Sequence, residues 1–455
     1  MKKIFKLIVV ILFIILGVGY YFVNSTIGGQ KIDMTKTPLT LKQRIFIKKY
    51  FFPHKYYSQQ IKTLNLQKEQ ISSLKVNEIE LDFKKSLANI KLEKLEDTKL
   101  SNNKSLKKYK IKNGFYSAIF GLRPGGYIDF HQNNLIALSS RSVLGYSKNI
   151  DNDLSLKQIK NNINDFIDLE QFQKNQDGKN YNFAIRDLFI HKNKIYISYT
   201  DEIKEDCWNT SVIYGDMNYE NIIFKKILFN EKCIHNVNSP KFSELNIDGE
   251  FNNGSSGGRI QSFDDDNILL SVGCYVSRYL AQETDNINGK IIKINIHNFN
   301  YEIVSMGHRN PQGLYFDKEN NIILESEHGP QGGDEINLIE EGKNYGWPIV
   351  SFGTRYGNGK GYEKKGIDKQ QPLFTFLPSV APSSINSCPK NLGNYYKDYY
   401  CLLLLSLRGM STYVVLIDKL KLNVIAIERF KIDQRLRHFA LNNKNNLFQD
   451  ENYFY

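Results

Sequence analysis

From about residue 110 onwards, runs of alternating apolar and polar residues recur in pairs with a turn at the centre of each pair. The turns are rich in Asn, Asp and Lys, and the second run of each pair ends near Ser or Thr. Alternation with a period of two is typical of strands with one buried face. The copies are GYIDFHQNNLIALSS from Gly126, IRDLFIHKNKIYISYT from Ile185, GRIQSFDDDNILLSVG from Gly258, QGLYFDKENNIILESE from Gln312, NYYKDYYCLLLLSLRG from Asn394 and LRHFALNNKNNLFQDEN from Leu436.

Six such copies of antiparallel strands predict an all-β fold, a six-bladed β-propeller over residues 111–455. A pair of β-sandwiches is the alternative. The absence of an obvious boundary between the copies favours the closed ring.

Residues 27–110 show a different pattern, with apolar residues at helical spacing among Lys and Gln in LTLKQRIFIKKYF and YSQQIKTLNLQKEQISSL. Pro53 is expected to end the first helix. We predict a basic helical stalk here, followed by a Lys- and Asn-rich linker near residues 102–110. Its expected role is to hold the main body away from a membrane.

Residues 1–26 carry Lys2, Lys3 and Lys6 ahead of an apolar run from Leu7 to Val23, and Tyr20 and Tyr21 lie near its end. This pattern predicts a signal-anchor that spans the membrane, with the lysines inside and the propeller exported to the periplasmic or extracellular side. A cleaved signal peptide is the alternative.

The formal net charge of +12 is unevenly distributed. The first 110 residues contain 22 Lys or Arg against 8 Asp or Glu, so the remainder of the chain is slightly acidic. A basic segment beside a membrane is typical of attraction to anionic headgroups, and we expect no nucleic-acid partner.

Five cysteines are present: Cys207, Cys233, Cys274, Cys388 and Cys401. In an exported protein, Cys207 with Cys233 is the favoured disulfide and Cys388 with Cys401 a second. The spacings do not match paired zinc-ligand motifs. The odd number leaves a free thiol or an intermolecular partner, while five buried reduced cysteines remain the alternative.

The segment from Gly307 to Pro348 concentrates Gly, Pro, His, Arg and acidic residues in GHRNPQGL, SEHGPQGGDEINLI and GKNYGWP. Turns of this composition fix the backbone and can direct carbonyl oxygens at a ligand, here a hard cation such as Ca²⁺. Arg309 offers a planar fork for a carboxylate. The segment therefore predicts a cation-assisted site for a polyacidic ligand. In the alternative interpretation, Asp334 and Glu335 only cap turns.

These three motifs, in this order, resemble the soluble PQQ-dependent aldose (glucose/sorbosone) dehydrogenases, which are six-bladed propellers. The resemblance covers roughly residues 110–455. It implies a sugar substrate, PQQ and Ca²⁺ as cofactors, and an electron acceptor whose identity the sequence leaves open. It assigns the residues as follows: cofactor contacts at Arg309, Asn310, Arg408, Arg435 and Arg437; Ca²⁺ on the carbonyls of Gly329 and Pro330; and a second, structural Ca²⁺ on Glu335 and the carbonyl of Tyr345.

The chain departs from the family at the acid–base pair. Where these enzymes have a His general base, four residues before the Arg of a GGR-like motif, this chain has Ser255 before Arg259. Where they have the Asp that orients the His, this chain has Cys274. His328 is the nearest substitute base in the sequence, although a loop His is more often structural.

Three functions follow from this pattern. The first is oxidation of an aldose at the outer face of the membrane, with PQQ and Ca²⁺ and an altered base. The second is a non-catalytic propeller that binds PQQ, Ca²⁺ or carbohydrate. The third is a surface scaffold in which the motifs persist because they build turns.

Overall fold

The computed structural model describes residues 50, 57, 89–99, 105–111, 126–139, 142–148, 155–167, 184–204, 207–228, 232–235, 253–355, 359–441, 446–449 and 453–454. The chain divides into two compact units, Met1–Leu74 and Lys75–Tyr455. In the first, only Tyr50 and Tyr57 are described, and both are helical. The predicted anchor over residues 1–26 lies outside the described residues, among which no helix has the length and hydrophobicity needed to cross a membrane.

Strands dominate the described part of the second unit. Those of its N-terminal half are β1 (Asn89–Lys94), β2 (Thr98–Lys99), β3 (Ser105–Leu106), β4 (Tyr109–Ile111), β5 (Gly126–His131), β6 (Asn134–Ser139), β7 (Leu144–Ser147), β8 (Ser155–Asn161), β9 (Ala184–His191), β10 (Lys194–Lys204), β11 (Cys207–Asp216), β12 (Asn221–Ile222), β13 (Lys225–Leu228) and β14 (Ile234–His235).

The C-terminal half continues the same organisation. Its elements are β15 (Gly257–Ser262), β16 (Asn267–Val272), β17 (Lys290–Asn295), β18 (Tyr301–Met306), β19 (Pro311–Asp317), β20 (Ile322–Glu327), β21 (Asp334–Ile339), β22 (Lys343–Asn344), β23 (Phe374–Phe376), β24 (Pro382–Ser387), the α-helix α1 (Lys390–Tyr395), β25 (Tyr399–Ser406), β26 (Ser411–Asp418), β27 (Val424–Lys431), β28 (His438–Leu441), β29 (Asn446–Gln449) and β30 (Tyr453–Phe454). Short 3₁₀ helices occupy Ile163–Asp165, Asn253–Ser255 and Arg278–Gln282.

The predicted hairpins are present in five of the six sequence copies, as β5–β6, β9–β10, β15–β16, β19–β20 and β28–β29. The copy that begins at Asn394 is different. Its first predicted strand overlaps α1, and β25 pairs instead with β24, upstream of the helix. The disulfide between Cys388 and Cys401 spans this inserted helix.

The sheets form a β-propeller. The inner strands contact one another in a closed ring, in the order β5, β9, β15, β19, β24, β28 and back to β5. Between neighbouring sheets, apolar side chains are fully buried, for example Ile197 and Leu270 in the largest core cluster. The all-β propeller predicted from the alternating pattern is therefore confirmed.

The prediction of six separate blades is wrong for the described residues, which form five sheets of four or more strands. One of these sheets has ten strands, because the last sequence copy does not form a sheet of its own. In this sheet β28 pairs with β29, β29 with β30, and β30 with β4. The sheet continues from β4 through β1 and β8 to β7, β6 and β5. N-terminal and C-terminal strands thus close the ring together.

The same pairing corrects the predicted domain boundary. Residues 89–111 form β1 to β4, although this part of the chain was predicted to be helical stalk and linker. The helical spacing lies upstream, in LTLKQRIFIKKYF and YSQQIKTLNLQKEQISSL, and does not extend to these strands. The pairing of β1 with β8 and of β4 with β30 decided their conformation. Both predicted disulfides, Cys207–Cys233 and Cys388–Cys401, are confirmed, and Cys274 is a buried free thiol.

A buried ion pair lies at the centre of the ring. Arg259 Nη1 donates to Asp187 Oδ1 at 2.7 Å, and the Arg259 side chain also donates to the carbonyls of Gln312, Ser383 and Arg437. Four other parts of the ring therefore meet on one guanidinium. A buried charge that loses its partner is strongly destabilising.

His438 completes this network as a neutral ring. The N–H of Ile128 donates to His438 Nδ1, so the proton is on Nε2, which lies 3.4 Å from Asp187 Oδ1. Burial, together with the positive charges of Arg259 and Arg437, holds the pKa of His438 well below its ordinary value of 6.5.

We expect Arg259→Met to lower the free energy of unfolding by about 3–5 kcal/mol, because Asp187 would remain as an unpaired buried charge. The double variant Arg259→Met/Asp187→Leu should lose less than the sum of the two single changes. Urea unfolding of the full chain measures both. Arg429→Met, at an exposed position, is the control. A loss below about 1 kcal/mol in Arg259→Met would contradict the role of the pair.

We also expect the free energy of unfolding to rise with pH up to about 6.5, in part because the unfolded chain protonates His438 and the folded chain does not. His438→Gln retains an acceptor for Ile128 and a donor for Asp187, and it should flatten this rise. Urea titrations between pH 5 and pH 7 measure the slope. His297→Gln, at an exposed histidine, is the matched control, and equal slopes in wild type and His438→Gln would disprove the assignment.

Candidate functional site

The first two motifs of the Gly307–Pro348 segment lie at the same end of one sheet, and the third follows β22, which pairs with β18 in the neighbouring sheet. GHRN precedes β19, HGPQGG connects β20 to β21, and NYGWP begins at the end of β22. Since β19 and β20 are antiparallel, the first two loops are adjacent, and the N–H of His328 donates to the carbonyl of Asn310 at 3.1 Å. The first two motifs are therefore neighbouring loops at the paired ends of β19 and β20.

The neighbouring sheet brings its own motif positions to the same place. Asn310 Nδ2 donates to the carbonyl of Gly254, and Asn310 Oδ1 accepts from the N–H of Gly257. The N–H of Cys274 donates to the carbonyl of Arg309 at 2.9 Å. Arg309 and Asn310, two of the predicted cofactor residues, therefore lie beside the two replaced acid–base positions.

Neither residue at the acid–base positions is a base at neutral pH. Ser255 is 5% exposed, and its carbonyl accepts from the N–H of Tyr275. Cys274 is 1% exposed and belongs to a buried cluster with Ala281, Trp347 and Tyr362. Burial raises the pKa of the Cys274 thiol. A hydroxyl and a neutral thiol do not accept a proton as an imidazole paired with a carboxylate does.

Arg309 is held in place from two sides. Its Nη1 donates to the carbonyl of His328 at 3.0 Å, and its guanidinium lies 5.4 Å from the centroid of the Trp347 ring. The backbone N–H groups of Arg309 and Asn310 both donate to Glu327 Oε2, at 2.6 and 3.2 Å. Glu327 is not among the residues predicted from the sequence, although it lies in the quoted motif directly before His328.

His328 links two sheets and is a weak base. Its Nε2 lies 2.7 Å from the carbonyl oxygen of Pro382, and since a carbonyl only accepts, Nε2 bears the proton. Burial lowers the pKa of His328 to about 4, and the positive charges of Arg309 and Arg437 contribute while Asp334 opposes them. His328 is therefore neutral at pH 7.

The Gly329–Pro330 turn is fixed by Asp334. Asp334 Oδ1 accepts from the N–H of Gly329 at 3.0 Å, and Oδ2 accepts from the N–H groups of Val380 and Ala381 and from the Ser379 hydroxyl. Asp334 thus connects this turn to the loop before β24. Its carboxylate caps backbone groups, as the alternative interpretation of this residue predicts.

The predicted late arginines occupy different environments. Arg437 is partly buried, and its positive charge acts on both His328 and His438. Arg435 is partly buried between β27 and β28. Arg408 is exposed, and its backbone N–H donates to the carbonyl of Val380, in the loop held by Asp334.

Glu335 and Tyr345, predicted as ligands of a second Ca²⁺, border a different cluster. Glu335 lies directly opposite Glu327 in the β20–β21 pair. The Tyr345 ring stacks on His308, with centroids 4.8 Å apart. Burial and the negative charge of Glu327 raise the pKa of Glu335 well above its ordinary value.

Comparison with known proteins identifies the class to which this fold and site belong. Residues 154–451 match the glucose/sorbosone dehydrogenase family model. The match covers more than half of the chain, and the chain therefore belongs to the glucose/sorbosone dehydrogenase family.

Two curated relatives agree with this family. The aldose sugar dehydrogenase YliI of Escherichia coli is 30% identical over 213 residues, which is 43% of this chain and 54% of that protein. Quinoprotein glucose dehydrogenase B of Acinetobacter calcoaceticus is 49% identical over 90 residues, 18% of each chain. The matched part of this chain thus spans about half the length of the E. coli relative.

Solved structures show the same fold. A glucose dehydrogenase crystal structure aligns with a TM-score of 0.55 and 20% identity, over 72% of this chain and 94% of that one. The PQQ-bound form of the aldose sugar dehydrogenase from Streptomyces coelicolor aligns with a TM-score of 0.53 and 15% identity, over 80% and 92%.

Proposed function

We propose that this protein binds PQQ together with Ca²⁺ in the site described above and uses them to oxidise an aldose sugar. The observation that supports this most directly is the arrangement around His328. Arg309 Nη1 donates to the carbonyl of His328 at 3.0 Å, directly before the Gly329–Pro330 turn, and the positive charge of Arg437, from a different part of the ring, also acts on His328. Positive guanidinium charge beside a turn of carbonyl oxygens suits a polycarboxylate ligand on a hard cation.

Each residue then has a defined role. Arg309 and Arg437, with Arg435 and Arg408, would bind the cofactor carboxylates, and Asn310 would position the cofactor beside Ser255. The carbonyls of Gly329 and Pro330 would bind Ca²⁺, and Asp334 holds their turn in place. When bound, the quinone supplies the acceptor for a hydride from the sugar, and Ca²⁺ polarises it.

A second candidate function, binding without turnover, is favoured by the buried Ser255 and Cys274. An enzyme that lacks its general base typically loses about two to four orders of magnitude in rate. His328 is not a good replacement, because its pKa of about 4 makes it a weak base and its Nε2–H is used by Pro382. In this case the propeller would bind PQQ, Ca²⁺ or a carbohydrate without oxidising it.

We further propose that the propeller is exported and held at the outer face of the membrane by residues 1–26. The two disulfides support export, because they form and persist in oxidising compartments. The electron acceptor would then be a redox partner on that side of the membrane.

Titration of the purified full-length chain with PQQ in the presence of Ca²⁺ should give saturable binding, followed by absorbance or tryptophan fluorescence. The full chain is required, because β1 and β4 pair within the ten-stranded sheet. Arg435→Ala/Arg437→Ala should weaken binding at least about tenfold, since each charge-assisted pair is worth about 1.5–3 kcal/mol. Arg429→Ala, at an exposed position, is the matched control.

The same preparation separates the two candidate functions. Dye reduction with any member of an aldose panel supports oxidation, whereas saturable PQQ binding with no turnover supports the non-catalytic binder. If PQQ does not bind, both PQQ-dependent oxidation and non-catalytic PQQ binding are wrong. Unchanged affinity in the double arginine variant would show that the carboxylate contacts are assigned incorrectly.

Ser255→His/Cys274→Asp should raise the rate of aldose oxidation by about two to four orders of magnitude, because it supplies a base and the group that orients it. Ser255→His/Cys274→Asn is the matched control and should give a smaller gain, since an amide does not stabilise the imidazolium. The measurement is dye reduction at saturating PQQ and Ca²⁺. Equal rates in wild type and the His/Asp variant would exclude these positions as the missing acid–base pair.

A further inference from the structure

Behind the loops of the candidate site lies a buried cluster of His308, Glu325, Glu327 and Asn337, of which the function proposed above uses only the contact of Glu327 with the Arg309–Asn310 backbone. Three of these residues are 0% exposed, and Glu327 is 4% exposed. One potential ligand atom from each of His308, Glu325 and Glu327 lies within 4.8 Å of the other two. Two buried carboxyl groups this close require a counter-charge or a proton.

The strand register directs these side chains to one place. Glu325 and Glu327 are two residues apart on β20, so they point to the same face, and Asn337 lies directly opposite Glu325 on β21. Asn337 Nδ2 donates to Glu325 Oε2 at 2.9 Å and to Glu327 Oε1 at 3.4 Å. His308 Nδ1 lies 3.5 Å from Glu327 Oε1. A single amide therefore orients both carboxyl groups towards the imidazole.

Several atoms of the cluster have no hydrogen-bond partner within the described part of the chain. They are Glu325 Oε1, His308 Nδ1 and Asn337 Oδ1. A buried carboxylate oxygen without a donor is costly, as is a buried ring nitrogen.

The surroundings resemble the outer shell of a metal site. The second ring nitrogen of His308, Nε2, lies 2.8 Å from the hydroxyl oxygen of Ser305, so the ring is oriented from its far side. The second oxygen of Glu327 accepts the two backbone N–H groups of Arg309 and Asn310. The ring of Tyr345 covers His308. Contacts of this kind orient metal ligands and exclude water.

We propose that His308 Nδ1, Glu325 and Glu327 bind a divalent cation of the Zn²⁺ or Mn²⁺ type. An imidazole ligand favours these ions over Ca²⁺ and Mg²⁺, which prefer oxygen ligands alone. The 3.5 Å separation of His308 Nδ1 and Glu327 Oε1 suits two ligands of one tetrahedral ion, which at bond lengths of about 2.0–2.1 Å lie about 3.4 Å apart.

This site is distinct from the Ca²⁺ proposed on Gly329 and Pro330 and from that predicted on Glu335 and Tyr345, and it does not depend on PQQ binding. Its expected effect is structural. Through Glu327 the cation would be connected to the N–H groups of Arg309 and Asn310. Metal binding should therefore stabilise the turn from which Arg309 projects.

Metal content measures the proposal directly. The full-length wild-type chain, purified without chelator and dialysed extensively, should retain about one equivalent of Zn²⁺ or Mn²⁺ by inductively coupled plasma mass spectrometry. Glu325→Gln keeps the shape of the side chain and should lower this content at least tenfold. Glu319→Gln, at an exposed position nearby in the sequence, is the matched control and should retain the metal.

Thermal unfolding distinguishes the loss of a metal ligand from misfolding of the variant. Apo wild type, prepared by chelation, should gain thermal stability when Zn²⁺ or Mn²⁺ is added, and Glu325→Gln should not. Two results together would overturn the proposal: addition of Zn²⁺ or Mn²⁺ does not change the melting temperature of metal-free wild type, and Glu325→Gln is as stable as wild type or more stable. Glu325 would then be a protonated carboxylic acid and not a metal ligand. Retention of Ca²⁺ alone, with no dependence on Glu325, would overturn it as well.

Discussion

At the axis of the propeller, Arg259 is 4% exposed and donates to groups from four other parts of the ring. Asp187 neutralises its charge, and the carbonyls of Gln312, Ser383 and Arg437 accept its remaining hydrogen bonds. A guanidinium in this position is tolerated only when all of these partners are present. The inner strands must therefore approach the axis together, and this requirement sets the geometry of the whole ring.

The candidate site depends on the same strand. Gly258 precedes Arg259 at a φ of +110°, and a Cβ atom there would lie 2.3 Å from the Cβ of Arg186. Only glycine allows this close approach. One residue earlier, the N–H of Gly257 donates to Asn310. The backbone that brings Arg259 to the axis therefore also places Ser255 beside the Arg309–Asn310 turn. The segment from Ser255 to Arg259 therefore both supports the ring and shapes the candidate site.

Features encoded by neighbouring residues were predictable, whereas contacts between distant segments were not. The hairpins follow from alternation around Asn- and Lys-rich turns, and the Cys207–Cys233 bridge joins segments that pair in one sheet. By contrast, β1 and β4 lie in a Lys-rich segment that was predicted to be stalk and linker. Their pairing with β8 and β30 requires the folded ring. The same holds for Glu327, whose role depends on the Arg309–Asn310 turn directly before β19, the strand paired with β20.

The sequence by itself determined the strand-rich character of the chain, the cysteine pairs and the family motifs, including the replacement of the acid–base pair by Ser255 and Cys274. These are properties of composition, hydrophobic periodicity and residue spacing, and each can be recognised within one continuous stretch of sequence. Only the tertiary structure decided how the ring closes, that Asp187 neutralises Arg259, and that Glu325 and Glu327 meet His308 in a buried space. Burial and electrostatic contact arise when residues far apart in the chain are packed together. Packing removes water from these residues, and each buried charge then requires a partner.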